Sequence, residues 1–292
     1  GKLARHAPAA PRFQSSAAET AGLATMPTVD LKTGGGLARW RDLKPDLCVM
    51  AFVTEILPAA VFSISKHGTI QYHPSLLPLH RGSSAINWAI INGDAETGVT
   101  SFWPDQGVDS GPILLQKRIA IGPDDTVGGL YFDRLFPAAV AALSESAALV
   151  ESGRAPRREQ DHAAATHEPP CREEWAAIRW HENAARIYAL VRGCNPQPGA
   201  WTSFRGGKLR IFDARLTGGL EPGMPGRVLR VSDDGLDVRL NGGVCASPEF
   251  SPRERRNSRP TSGRHVPGSR PGPTCGDGRS LELLHRLAYP FS

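Results

Sequence analysis

Residues 70–82 read IQYHPSLLPLHRG. Ile70 and Tyr72 stand two apart and share one face of a strand, so Gln71 and His73 point to the other. Pro74 has no backbone donor and ends the ladder there. An amide and an imidazole are thereby set at the carboxyl end of a strand, which is where open α/β sheets hold their ligands.

The surrounding pattern supplies the sheet. Upstream, DLCVMAFV from Asp46 is a continuous apolar run, as a strand buried on both faces requires, and EILPAAVFSIS makes a helix with Pro58 in its first turn. Downstream, Ser83 and Ser84 are placed to cap a helix through AINWAIING, and GVTSFW makes a third strand. Strand, helix, strand, helix, strand predicts parallel neighbours joined by right-handed crossovers, hence an α/β fold on an open parallel sheet. PILLQKRIAI adds a further strand. Asp124 to Gly153 reads as a long amphipathic helix interrupted by Pro137, which closes a catalytic domain over 37–153.

Beyond it, 154–174 is charged, proline-containing and weakly periodic, and reads as a linker. A short helix in NAARIYALVRG follows, and then the period changes to two. AWTSFRGGKLRIFDARL and GRVLRVSDDGLDVRL read as hairpins, giving a small barrel-like domain over 175–244. Residues 1–36 read as an irregular leader or a truncated domain start. Gly34 to Gly36 follow no strand and so make a poor phosphate loop. From 245 to 292, proline, arginine, glycine and serine dominate, which predicts a disordered tail; its abrupt onset in mid-hairpin also fits a reading-frame change.

The 292 residues suffice for one large domain and a small one. No apolar run approaches the roughly 20 residues that span a bilayer, so no membrane partner is expected. The five cysteines show no C-x-x-C spacing, which argues against a zinc site or a secreted disulfide framework and for a reducing, cytoplasmic setting, or an organelle if the N-terminus is a leader. The net charge of +5 is concentrated after residue 244, where eight arginines face four acidic residues. A basic tail on a near-neutral body favours nonspecific polyanion contact over a shaped nucleic-acid face.

The loop PDQGVDSG after the third strand carries Asp105 and Asp109, with Gly107 and Gly111 allowing close backbone approach. A carboxylate from one strand end then faces the imidazole of its neighbour, the arrangement that acid–base chemistry needs. Spacing alone fits a structural pair as well. His67, His80, His162, His167 and His181 carry weaker signals, and His73, His80 and Asp109 have no metal-ligand spacing, so no metal is expected.

HPSLLPLHRG, followed by INWAIINGD, GVDSGPILLQ and GPDDTVGGLYFDRLFP, resembles the 10-formyltetrahydrofolate-using formyltransferase family. The likeness is strong over 46–158 and continues more loosely through VRGCNPQPGAW to about residue 240. It implies an open sheet of formyltransferase type, here apparently lacking its first strand. It also implies 10-formyltetrahydrofolate as co-substrate, with catalytic residues at Gln71, His73 and Asp109. His73 and Asp109 match the family, whereas Gln71 stands where the amine-directed members carry Asn and a hydrolase module carries an aliphatic residue. Leu79 departs from the family's usual Arg, while Arg81 and Gly82 match.

By the same resemblance, Phe52, Ile56 and Leu57 line the folate and the loop with Asp105 and Gly107 reads its pterin. Leu57 and Ile56 fit ordinary sheet–helix packing equally, Arg81 either supports the turn or meets an anion, and Ser75 fits a turn as well as a contact. Protonated His73, with Gln71 as a second donor, is expected to stabilise the developing oxyanion, and Asp109 to favour the imidazolium and manage protons. The implied reaction is transfer of the formyl group to an amine, most simply that of initiator Met-tRNA. The alternatives are hydrolysis to formate and an inactive folate-binding remnant.

Overall fold

The computed structural model describes residues 18–252, apart from 52, 54–56, 205, 220–221, 233–234 and 248–249. Two compact units divide the chain, 37–254 and a second made of 1–36 with 255–292. In the second unit a 3-10 turn, Thr28–Lys32, precedes α1 (Gly34–Asp42), whose last residues pass into the first. The Gly34–Gly36 run is thus the first turn of a helix.

The larger unit opens with β1 (Cys48–Met50), α2 (Ala59–Phe62), β2 (Thr69–His73), α3 (Ala85–Asn92), β3 (Glu96–Phe102) and β4 (Ile113–Ala120). They form one open sheet in the order β1-β2-β3-β4. The α/β class and the open sheet are as expected. β1 and β2 are parallel, with Met50 opposite Gln71, but β3 runs antiparallel to β2 and β4 antiparallel to β3, with His73 opposite Thr100 and Gln71 opposite Phe102. The expected third parallel strand is corrected here. The strand–helix–strand pattern counts the elements but leaves the direction of the last one open, because α3 is only eight residues long. Gly93, in the left-handed region at φ 79°, ends it and turns the chain straight into β3.

Period-two alternation in β2 is borne out in the packing. Tyr72 is buried with Ile86, Ile90, Val99 and Leu135 in one cluster, and Ile70 with Trp103, Leu114 and Val150 in another. These residues meet a long helical run: α4 (Val127–Leu130), a π turn (Tyr131–Leu135) and α5 (Phe136–Glu151). Thr126 caps its start by accepting the Gly129 amide, and the Phe136 amide reaches back to the Tyr131 carbonyl. The widened turn just before Pro137 accommodates the missing donor, so the proline does not break the helix. Ser84 stands at the N-cap of α3 but makes no capping bond; its hydroxyl accepts the Cys171 amide.

Beyond a 3-10 turn at His162–Ala164, the remaining elements are α6 (Ala184–Gly193), β5 (Ala200–Phe204), β6 (Gly207–Ile211), β7 (Arg215–Thr217), β8 (Val228–Ser232), β9 (Gly235–Leu240), β10 (Gly243–Ser247) and β11 (Phe250–Pro252). They make two separate antiparallel sheets, β7-β10-β9-β8 and β11-β6-β5, and no closed barrel forms among the described residues. Ile187, Val191, Ala200, Leu240 and Cys245 share a core with Ile91 of α3. α6 comes so close to α3 that a Cβ on Gly193 would stand 2.5 Å from Ile91 Cγ1. The end of the folded pattern at Val244 is corrected as well. Cys245 is 3% exposed in that core, and β11 pairs with β6 through residue 252. The expectation of disorder otherwise falls on 253–292, outside the described residues.

Candidate active site

β2 delivers His73 at its carboxyl end, 6% exposed. Asp109 arrives by another route than expected. Since β3 is antiparallel, its loop leaves toward the opposite edge and must fold back over 103–112. Trp103 and Pro112 close that loop through a 2.9 Å backbone hydrogen bond, and a Cβ on Gly111 would lie 1.8 Å from the Trp103 carbonyl oxygen. Asp109 completes the reversal in the left-handed region at φ 52°, which Asp tolerates better than most residues. Its Oδ2 then stands 3.5 Å from His73 Nδ1 and accepts the Gly82 amide at 2.9 Å. The expected pair is formed, though across antiparallel strands.

The ring's other nitrogen decides its chemistry. His73 Nε2 lies 2.7 Å from the His80 carbonyl oxygen. A carbonyl only accepts, so Nε2 carries the proton, and in the neutral ring Nδ1 keeps its lone pair toward Asp109. The 3.5 Å between Nδ1 and Oδ2 is longer than a usual hydrogen bond. Burial lowers the His73 pKa from its ordinary 6.5, against the opposing pulls of Asp109 and the His80 carbonyl. Desolvation thus works against the imidazolium that Asp109 favours.

Gln71 is half-buried on the same strand face and makes no side-chain hydrogen bond among the described residues. Asp105 is exposed; its carboxylate accepts from the Gly107 amide at 2.9 Å and from Ser110 Oγ at 2.8 Å, so it shapes its own loop. A Cβ on Gly107 would fall 2.0 Å from Ser110 Oγ. Leu57 is buried, as packing requires, and Phe52 and Ile56 lie outside the described residues. Ser75 proves to be a turn residue, its hydroxyl donating to the Leu79 carbonyl at 2.6 Å.

Two residues, one unmarked in the sequence and one with only a weak signal there, hold the site together. Gln160, 5% exposed, donates from Nε2 to the carbonyl oxygens of Asp109 and Gly111 at 2.9 and 2.7 Å. Its Oε1 accepts from Arg81 Nε and Nη2 at 3.2 and 2.7 Å, and Arg81 also donates to His162 Nδ1. The turn after β2 and the Asp109 loop are thus joined through one amide. The segment carrying Gln160 is more than a linker, since Arg158 pairs with Ile113 and Arg81 with His167 as isolated bridges. His80 is the other, held between Asp94 and Glu168 at 2.6 and 3.0 Å. No cluster of three or more potential metal ligands occurs among the described residues, and no described helix is long and apolar enough to cross a membrane.

Residues 36–146 match the formyl transferase family and 171–259 its C-terminal domain. The methionyl-tRNA formyltransferase of Moorella thermoacetica is 38% identical over 228 residues, 78% of this chain and 73% of that protein. The chain belongs to the formyl transferase family. Within this family, the mitochondrial 10-formyltetrahydrofolate dehydrogenase of Homo sapiens is similar at 38% identity over 231 residues, 79% of this chain and 25% of that protein. The chain therefore spans about a quarter of that relative's length. Among solved structures, HypX from Aquifex aeolicus in complex with tetrahydrofolic acid superposes with a TM-score of 0.64 at 22% identity, covering 80% of this chain and 39% of that one, a likeness of fold.

Proposed function

We propose that this formyl transferase family member moves the formyl group of 10-formyltetrahydrofolate to an amine, with the amine of initiator Met-tRNA as the acceptor. The observation that carries the reading is the His73–Asp109 pair, Nδ1 and Oδ2 3.5 Å apart on a ring whose other nitrogen is committed to the His80 carbonyl. Such a pair is built to receive a proton from an attacking N–H or O–H group. His73 Nδ1 acts as the base, and Asp109, held by the Gly82 amide, stabilises the cation then formed; acid–base work of this kind is worth about 100- to 10,000-fold. Gln71, on the same strand face, offers its amide to the oxygen that gains charge, for which one donor is worth about 100- to 1,000-fold.

The residues present fit the folate. The exposed rim from Asp105 to Val108 beside the buried pair suits a heterocycle with donors and acceptors along one edge, and the glycines keep it free of bulk. Asp105, Gly107 and Leu57 are the residues proposed to hold it, together with Phe52 and Ile56. Bound 10-formyltetrahydrofolate supplies an activated formyl carbon and a nitrogen leaving group.

A second reading, transfer to water with release of formate, is favoured by the likeness to the 10-formyltetrahydrofolate dehydrogenase and by a base that serves water as well as an amine. The deciding experiment incubates the purified chain with 10-formyltetrahydrofolate, with and without Met-tRNA, and follows tetrahydrofolate and formate. Tetrahydrofolate release that requires Met-tRNA and yields no formate supports the first reading. Formate without an acceptor supports the second, and folate binding without turnover defeats both.

A further inference from the structure

His80 does not touch the His73–Asp109 gap with its side chain, yet the residue is bound at four points. Its amide donates to Thr166 Oγ1 at 2.8 Å and its carbonyl accepts His73 Nε2–H at 2.7 Å. Its ring nitrogens face Asp94 Oδ2 at 2.6 Å and Glu168 Oε1 at 3.0 Å. The two carboxylates come from separate parts of the chain, one following α3 and the other from the 154–174 segment. The ring thus stands between the two carboxylates, hydrogen-bonded to Asp94 through Nε2 and in close contact with Glu168 through Nδ1. Glu168 Oε2 and His80 Nδ1 are both buried without a hydrogen-bond partner among the described residues, so the two groups meet as a close charged contact and not through a hydrogen bond. The backbone itself lies at φ 54°, an uncommon conformation that histidine enters more readily than most side chains.

We propose that His80 is a positioning residue: the Asp94–His80–Glu168 bridge holds the His80 carbonyl where it fixes His73 as the Nε2–H tautomer, leaving Nδ1 free to take the proton. The proposal rests on His73 acting as the base described above. It assigns the bridge a task beyond packing, because a carbonyl that drifts lets the ring proton move to Nδ1, next to Asp109. The base would then be lost while the fold remained. A wrong tautomer is damaging even when the geometry is otherwise kept.

The test records 15N NMR of the His73 ring in the full chain, alongside kcat and KM, for the wild type, His80→Asn and Glu168→Gln. Asn tolerates the left-handed backbone but cannot span both carboxylates. We expect wild-type His73 to be protonated on Nε2 alone, with tautomers mixed in His80→Asn, kcat reduced roughly tenfold or more, and KM for the folate within about twofold. Glu168→Gln, which keeps one hydrogen-bonding partner, should show a smaller change in the same direction and carries the test if His80→Asn fails to fold. A wild-type ring protonated on Nδ1, or an unchanged tautomer and kcat in the variants, overturns the proposal. The tautomer is read without folate, so absent turnover in the wild type would count against formyl transfer and not against the bridge.

Discussion

His73 and His80 lie seven residues apart, 6% and 7% exposed, and each meets carboxylate oxygen. At His80 carboxylate oxygens lie close on both sides of the ring, 2.6 Å from Nε2 and 3.0 Å from Nδ1. At His73 one nitrogen is given to a carbonyl and the other faces Asp109 across 3.5 Å. Equal burial therefore gives one imidazole clamped between two carboxylates and one whose second nitrogen stands apart from its acid. An imidazole beside an acid is not by itself a site; the site is where a proton is missing. The clamped histidine also supplies the carbonyl that takes the other's Nε2–H.

The comparison breaks most readily at His73. His73→Ala should lower turnover at least about 1,000-fold while folate affinity, by equilibrium binding, stays within a few-fold; retained turnover would make His73 as structural as His80. Asp109→Asn comes next, with a loss of about 100-fold or more in kcat. It should also lower the His73 pKa further, as an NMR titration would show, because Asp109 is what opposes the effect of burial. Gln71→Leu should cost about 100-fold in kcat if its amide meets the developing charge, and a steady-state assay near neutral pH reads this. Gln160→Ala leaves Arg81 and two carbonyls without their shared partner, and should lower stability by about 2–4 kcal/mol in urea unfolding.

The smallest effect is on stability against pH. Burial holds the folded His73 below 6.5, so as pH falls the unfolded chain takes up this proton first. The contribution is complete above about 6.5 and is lost as the pH drops toward the folded value. Urea midpoints of wild type and His73→Ala between pH 7 and 5 should therefore converge. Parallel curves would mean that the ring feels no net desolvation.

The order of elements, the alternation in β2 and the residues of the pair were legible because each is local: a period of two, a proline stop and a glycine-flanked aspartate. The polarity of β3 was not, since it follows from one tight turn at Gly93 that no period records. Nor was the state of His73, where burial and one carboxylate compete and only the packed environment sets the balance. Gln160 and Glu168 act on residues some 80 positions earlier in the chain, Arg81 and His80, so their sequence neighbourhood shows only a charged connector. Ser84 carried a capping signal and spends its hydroxyl on Cys171, an equally distant partner.

The most direct test of a neutral, base-competent His73 is the pH dependence of kcat/KM for 10-formyltetrahydrofolate. The account predicts a level rate around neutrality and a one-proton decline on the acid side, starting below 6.5 and absent from the residual rate of His73→Ala. A rate that rises as the solution is acidified would show that the imidazolium is the working form, and would contradict it.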